Sequence, residues 1–289
     1  MKSPKFVAIG NITHDIYGNE VRSESDYEYR IGGSSVYSSI TARNFGIKAG
    51  IVSNIGKDFK FFGLLHNIDI SYAICENTTT FRNVYTNGRK QYVFKIADPI
   101  TPTQIPYTFL NAEIIYICPV LNEVDSNILK LFKYRNSPLI GVSPQGWVRC
   151  YRRNKGDIIK KEWDNAKEIL QYTDVLIFSE EDIPEYNSKI EEYTANKNLI
   201  VIVTKGKNGA DLYFKGKIYH FPAYPTKEKD PTGAGDVFGA AFLIKYYESG
   251  DIIESARFAT CSASFVVEKI GINGIPKLID VNKRCKGYG

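Results

Sequence analysis

The segment Asp230–Leu243, DPTGAGDVFGAAFL, decides how the rest of the chain is read. Gly233 and Gly235 let the backbone turn sharply and approach a ligand without a Cβ in the way. The apolar run that follows has helical texture, so Gly233–Asp236 falls at a helix N-terminus. Backbone N–H groups there have no intrahelical acceptor and form an anion site. An acid inside an anion site is unexpected. Asp236 has two readings: a helix cap, a place where Asp is favoured, or a hydroxyl-activating base beside a phosphate cradle.

Other nucleotide-binding patterns fail on spacing. A P-loop needs G-x-x-x-x-G-K-[ST]. Gly50 and Gly56-Lys57-Asp58 are separated by five residues, and the stretch ends in Asp. Gly233-x-Gly235-x-x-x-Gly239 is one residue too long for the dinucleotide fingerprint and comes late in the chain. His14, His66 and His220 are dispersed and suggest no metal cluster.

Outward from this segment the chain alternates strand, loop and helix. Lys5–Gly10 and Ala49–Ile55 read as buried strands, as do Ile114–Ile117, Leu139–Val142, Val175–Phe178 and Leu199–Val203. Helical spacing is predicted over Ser34–Phe45, Glu162–Gln171, Gly233–Glu248 and Ser255–Lys269. This alternation implies a mainly parallel sheet covered on both faces. Two stretches differ. Tyr17–Ile31 alternates loosely and is highly charged, and Thr79–Ile96 carries Asn87-Gly88 between apolar runs, a strong hairpin signal. Together they predict a small sheet standing off the main body. Leu212–Phe214 and Ile218–Phe221 read as a further hairpin.

The bulk numbers fit one large α/β domain or two smaller ones. The chain has 289 residues, 43% hydrophobic and 24% charged, and is long enough to bury a core without staples. Five cysteines, none at C-x-x-C spacing, argue against a zinc site or a disulfide framework. With no signal peptide and no apolar run of spanning length, the expectation is a cytoplasmic protein without a membrane partner. The net charge of +5 suits an anionic nucleotide substrate. The densest basic cluster, Arg149, Arg152, Arg153 and Lys155, reads as a solvated loop; nucleic acid would want a longer stripe with stacking aromatics.

The Asp230–Phe238 stretch resembles the C-terminal signature of the PfkB/ribokinase family, D-[TP]-T-G-A-G-D-x-F. Other family landmarks follow in order. Gly10-Asn11 with Asp15 is similar to the first substrate-contacting loop. Gly32-Gly33 matches the paired glycines at the lid hinge, and Gly56-Lys57-Asp58 with Phe62-Gly63 resembles V-G-x-D-x-F-G. Thr204-Lys205-Gly206 with Gly209 matches the T-x-G-x-x-G nucleotide loop. The resemblance implies a ribokinase-like α/β/α sandwich over residues 1–289. Its β-lid would comprise about 17–31 and 79–96.

The same resemblance assigns roles. Asp236 is the expected base, with Gly233, Ala234 and Gly235 forming the anion hole. Thr204, Lys205, Gly206, Gly209, Asp230 and Thr232 are expected at the nucleotide. Asn11, Asp15, Gly32, Gly33, Tyr37, Gln145 and Arg149 are expected at the acceptor. ATP and Mg²⁺ are the implied cofactors, with a monovalent cation as a further candidate. A homodimer through the lid is the candidate assembly. Two positions depart from the pattern. Tyr37 stands where ribose-binding members carry Asn. In the metal-associated N-x-x-E motif, Glu181 fits the Glu while Phe178 occupies the Asn position. Ser143–Arg149, SPQGWVR, resembles the D-x-Q-G-x-x-R stretch of myo-inositol kinase-like members, so a cyclic polyol is the favoured acceptor, with ribose or a nucleoside as alternatives. A non-catalytic sugar- or nucleotide-binding module is the reading from another class. Asp15 as a turn cap, Thr204 as a strand-end residue, and Gln145 and Arg149 as surface residues remain open alternatives.

Overall fold

The computed structural model describes residues 3–17, 28–85, 89–133, 137–153, 155–183 and 185–286. In chain order its first strands are β1 (Phe6–Ile9), β2 (Thr13–Tyr17), β3 (Glu28–Gly32), β4 (Ala49–Gly56) and β5 (Ile68–Cys75). Then come β6 (Thr79–Tyr85), β7 (Arg89–Lys95), β8 (Ile114–Ile117), β9 (Leu139–Val142) and β10 (Arg149–Tyr151). The last are β11 (Ile158–Lys160), β12 (Val175–Ser179), β13 (Ile200–Thr204), β14 (Ala210–Phe214) and β15 (Lys217–Phe221). The α-helices are α1 (Ser34–Asn44), α2 (Ile128–Lys133), α3 (Ala166–Leu170), α4 (Tyr186–Thr194), α5 (Ala234–Ser249), α6 (Ile252–Val266) and α7 (Leu278–Lys286).

A nine-stranded sheet runs β15-β14-β13-β12-β9-β8-β1-β4-β5. From β13 to β5 every pairing is parallel, and β14 and β15 close one edge as an antiparallel hairpin. The β-branched runs make this possible because both faces are buried. Phe6 and Ala8 of β1 enter one core while Val7 and Ile9 enter the other. The same alternation holds for Ile114, Tyr116 and Cys118 against Ile115 and Ile117. Helices α1, α5, α6 and α7 cover the first face, and α2, α3 and α4 the second. The α/β sandwich expected from the sequence is therefore present.

The second expected element is a separate four-stranded sheet, order β3-β2-β6-β7. It begins earlier than its sequence signal, at Thr13; residues 18–27 of the first lid segment and the Asn87-Gly88 turn lie outside the described residues. A β10–β11 hairpin leans on its edge. Val93 N–H donates to the Gly156 carbonyl at 2.8 Å, and Tyr92 bridges Asp157. Sequence periodicity did not reveal this hairpin, nor β5, α4 and α7. The helix expected over Glu162–Gln171 contracts to α3. No helix among the described residues is long and apolar enough to cross a membrane.

His14 on β2 carries a testable consequence. Its ring is 3% exposed and both ring nitrogens are buried without a hydrogen-bond partner. Phe59 stacks on it at 5.7 Å, and Tyr29 and Phe61 stand edge-on. Burial holds its pKa below the ordinary value, opposed by Asp58 and reinforced by Lys95 and Lys60. The unfolded chain therefore binds the proton more tightly than the folded one. Stability should fall as pH drops below the unfolded value of about 6.5. Thermal melts at several pH values should show this acid-side decline, and His14→Phe should flatten it; an unchanged slope in the variant would assign the decline to other groups.

Candidate active site

The loops that gather the expected site residues all follow carboxyl ends of parallel strands, where open α/β sheets bind ligands. Gly10-Asn11 follows β1, Pro119–Glu123 follows β8, Ser143–Val148 follows β9, and Glu180–Asp182 follows β12. Gly206–Asn208 forms a single 3₁₀ turn after β13.

At the centre is the start of α5. Gly233 is its N-cap in the left-handed region, φ 82°. A Cβ added there would lie 2.2 Å from the Tyr37 ring. The turn thus depends on glycine twice, for its backbone angle and for its packing. Gly235 is different: it is exposed, and an added Cβ would meet nothing within 4 Å. At a helix start the first N–H groups have no intrahelical acceptor, and here Ala234 N–H donates to the Pro231 carbonyl at 3.3 Å. Asp236 is half-buried beside it. Its charge, after the larger effect of burial, pushes up both the Tyr116 phenol and the Cys118 thiol at the end of β8.

Asp182, in the loop after β12, adds a further upward push on Tyr116 to the dominant effect of burial. Its carboxylate is buried and well held. Ser179 N–H donates to Oδ2 at 3.0 Å, Arg149 Nη2 to Oδ1 at 3.1 Å and Gln145 Nε2 to Oδ1 at 3.4 Å. Gln145 and Arg149 thus converge on Asp182. Arg149 extends the other way to Gln91 Oε1 on β7, at 3.2 Å. The remaining basic cluster faces outward: Arg152 pairs with Asp157, and Arg153 and Lys155 line an outer cleft with Phe94 and Tyr151.

The small sheet turns a mixed face toward these groups. Phe81 and Val93 pack on Val120 and Leu121. Asp15 is the register partner of Phe81, and Thr13 Oγ1 donates to its Oδ1 at 3.0 Å. Gly32 leaves room for it, since a Cβ there would lie 2.4 Å from the Asp15 carboxylate. Gly33, φ 100°, caps α1 and turns the chain from the small sheet into the main body.

Residues 3–278 match the profile described as pfkB family carbohydrate kinase. The chain belongs to the PfkB family of carbohydrate kinases. It is 27% identical over 255 residues to a nucleoside kinase of Methanocaldococcus jannaschii, spanning 83% of this chain and 80% of that one. Its fold is similar to a pyrophosphate-dependent kinase of the ribokinase family complexed with a pyrophosphate analogue and myo-inositol, with TM-score 0.80, 21% identity, and coverage of 96% and 99% of the two chains. It is also similar to a ribokinase II from E. coli in complex with ATP and Mg²⁺, with TM-score 0.74, 20% identity, and coverage of 99% and 100%. As a PfkB kinase the chain is a phosphotransferase with an alcohol acceptor, acting on a sugar or nucleoside-like small molecule.

Several residues expected at ligands stand elsewhere in this PfkB chain. Tyr37, expected to stack on the acceptor, is 2% exposed, and its ring packs behind Gly233. Asn11 is equally buried and braces loops: its N–H donates to Glu123 Oε1 at 2.9 Å, and its Oδ1 accepts from Asn54 N–H at 2.7 Å. Glu181 is exposed, and its neighbour Asp182 is the buried acid that Gln145 and Arg149 meet. Reading the family's N-x-x-E motif one residue later gives Ser179-x-x-Asp182, the signal that would have found it.

The expected nucleotide contacts divide in the same way. Lys205 turns its ammonium to Asp211, which raises its pKa, and its N–H donates to the Gly209 carbonyl at 2.7 Å. Gly209, φ 88°, allows the Phe221 carbonyl to lie against it. Asp230 is buried and braces the turn before α5, accepting from Thr232 and Gly271 N–H groups, each at 3.0 Å. Thr204 and Gly206 edge the loop after β13, Thr204 half-buried and Gly206 exposed. Glu123 was not anticipated. Buried after β8, it accepts N–H bonds from Asn11, Val120 and Leu121, and burial raises its pKa despite them.

Proposed function

We propose that the chain transfers the γ-phosphoryl group of ATP to a ring hydroxyl of a small cyclic polyol, with myo-inositol as the favoured acceptor and Asp236 as general base. The observation that carries this reading is the open space at Gly235, in front of a helix start that also presents a half-buried acid. In this reading a phosphate of the donor occupies that space. Among the described residues no group of three or more His, Cys, Asp or Glu could hold a metal ion. Mg²⁺ would be carried by the donor's phosphates, and Asp182, at the end of β12, is the acid that would reach it through water. Bound ATP with Mg²⁺ supplies the phosphoryl group and neutralises its charge. The Gly233–Asp236 backbone holds the anion, and Asp236 accepts the proton of the attacking hydroxyl. In this reading residues 1–289 work as one kinase unit, and the small sheet is a lid that excludes water.

The acceptor class rests on Gln145 and Arg149, which meet at Asp182, and on Asp15, which shares the small sheet with Phe81 and Val93. A carboxylate accepts from two vicinal hydroxyls, and an amide and a guanidinium donate to others. Initial-rate kinetics over myo-inositol, ribose, fructose, fructose 6-phosphate and several nucleosides test it. The expected outcome is the highest kcat/KM for myo-inositol. A clear preference for ribose or a nucleoside would overturn the polyol assignment while leaving the kinase intact.

A further inference from the structure

We propose that Arg149 is a positioning residue that ties the small sheet to the catalytic centre, one arm held by Gln91 of β7 and the other by Asp182 after β12. The inference rests on α5 being the transfer site, as proposed above. Three connections carry it. First, Arg149 belongs to the β10–β11 hairpin, which is bound to β7 through the Val93–Gly156 hydrogen bond and the Tyr92–Asp157 bridge. Movement of β7 therefore moves the Arg149 backbone. Second, its guanidinium spans the gap, donating to Gln91 at 3.2 Å and Asp182 at 3.1 Å. Gln91 in turn donates to Asn83 Oδ1 of β6 at 3.1 Å, so the connection enters two strands of the small sheet. Third, the ion pair is shielded: the two side chains are 15% and 7% exposed. Little solvent screening loosens it, and Ser179 N–H fixes the far carboxylate oxygen.

A planar fork with several donors can hold both partners at once, whereas the compact ammonium of lysine cannot reproduce that span. The position of the small sheet and the orientation of Asp182 are thereby coupled. A small sheet released from Asp182 would close over the acceptor in poorer register and admit water, and misplacement on the scale of an ångström costs about 10²-fold.

The test compares R149A, R149K, Q91A and the Q91A/R149A double variant, with R152A as a control on the same hairpin. In resting protein, hydrogen exchange of peptides covering 79–85 and 89–95 should rise several-fold in R149A and Q91A and stay at the wild-type level in R152A. In turnover, R149A should lower kcat/KM for the acceptor about 10²-fold and R149K about tenfold, while KM for ATP changes little. The share of ATP lost to water should grow relative to transfer. Because the two residues act through one connection, the double variant should be no worse than R149A. Unchanged exchange in R149A, or fully additive losses in the double variant, overturns the proposal. Were R149A to unfold, Q91A and R149K would read the same connection. A wild-type chain that phosphorylates nothing in the panel would refute the function proposed above, and the exchange experiment would still decide the coupling.

Discussion

Asp236→Asn is expected to leave the fold and ATP binding intact and to lower kcat by about 10²–10⁴, the range associated with a positioned general base. Asn keeps the shape of Asp but cannot accept the proton. The side chain sits in the first turn of α5, where its charge is felt by Tyr116 and Cys118. A cap role predicts something else. Asn caps helices about as well as Asp, and the cap position here is occupied by Gly233. A purely structural Asp236 would therefore give a variant with wild-type turnover at saturating substrate, and that result would remove it from the mechanism.

The second large effect separates two glycines of one turn. Gly235→Val places its branch in open space, and its backbone is not in the left-handed region. The fold should lose little, because valine has a better helix propensity than glycine. The cost to ATP is much larger, because the side chain fills the volume the phosphate needs; an affinity loss of roughly 10²-fold or more is expected. Gly233→Ala should fail differently. Its Cβ would collide with the Tyr37 ring at a φ that L-residues rarely adopt, so melting temperature and activity should fall together. Calorimetric ATP titrations beside thermal melts distinguish the two. Normal nucleotide binding by G235V would place the cradle elsewhere.

The large sheet was legible because its strands are short, apolar and bounded by turn residues. Ile114–Ile117 and Leu139–Val142 occur at the bounds their composition suggests. The start of α5 was legible for the same local reason, a glycine turn opening an apolar helix. Side-chain direction was not. Helix α1 buries every residue from Ser34 to Ala42, serines included, because it lies between the sheet and α5. With no exposed face over those residues, periodicity could not say that Tyr37 points into the core. At the end of β12 one residue separates an exposed acid from a buried one: the motif pointed to Glu181, while Asp182 is the acid held by Gln145 and Arg149. Gln91 and Glu123 gave no signal because their roles depend on partners 58 and 112 positions away, Arg149 and Asn11. Edge strand β5 and the β10–β11 hairpin are half-exposed, so their patterns resemble those of loops.

Acceptor-dependent ADP release, measured side by side for the wild-type chain and D236N at saturating ATP and Mg²⁺, tests the role of Asp236 most directly. Myo-inositol or a related cyclic polyol should stimulate ADP release by the wild type, with the phosphoryl group recovered on the acceptor. D236N should bind ATP equally and release ADP about 10²–10⁴ times more slowly. Equal stimulation in the two proteins, or ATP turnover that ignores every acceptor in the panel, would contradict that role.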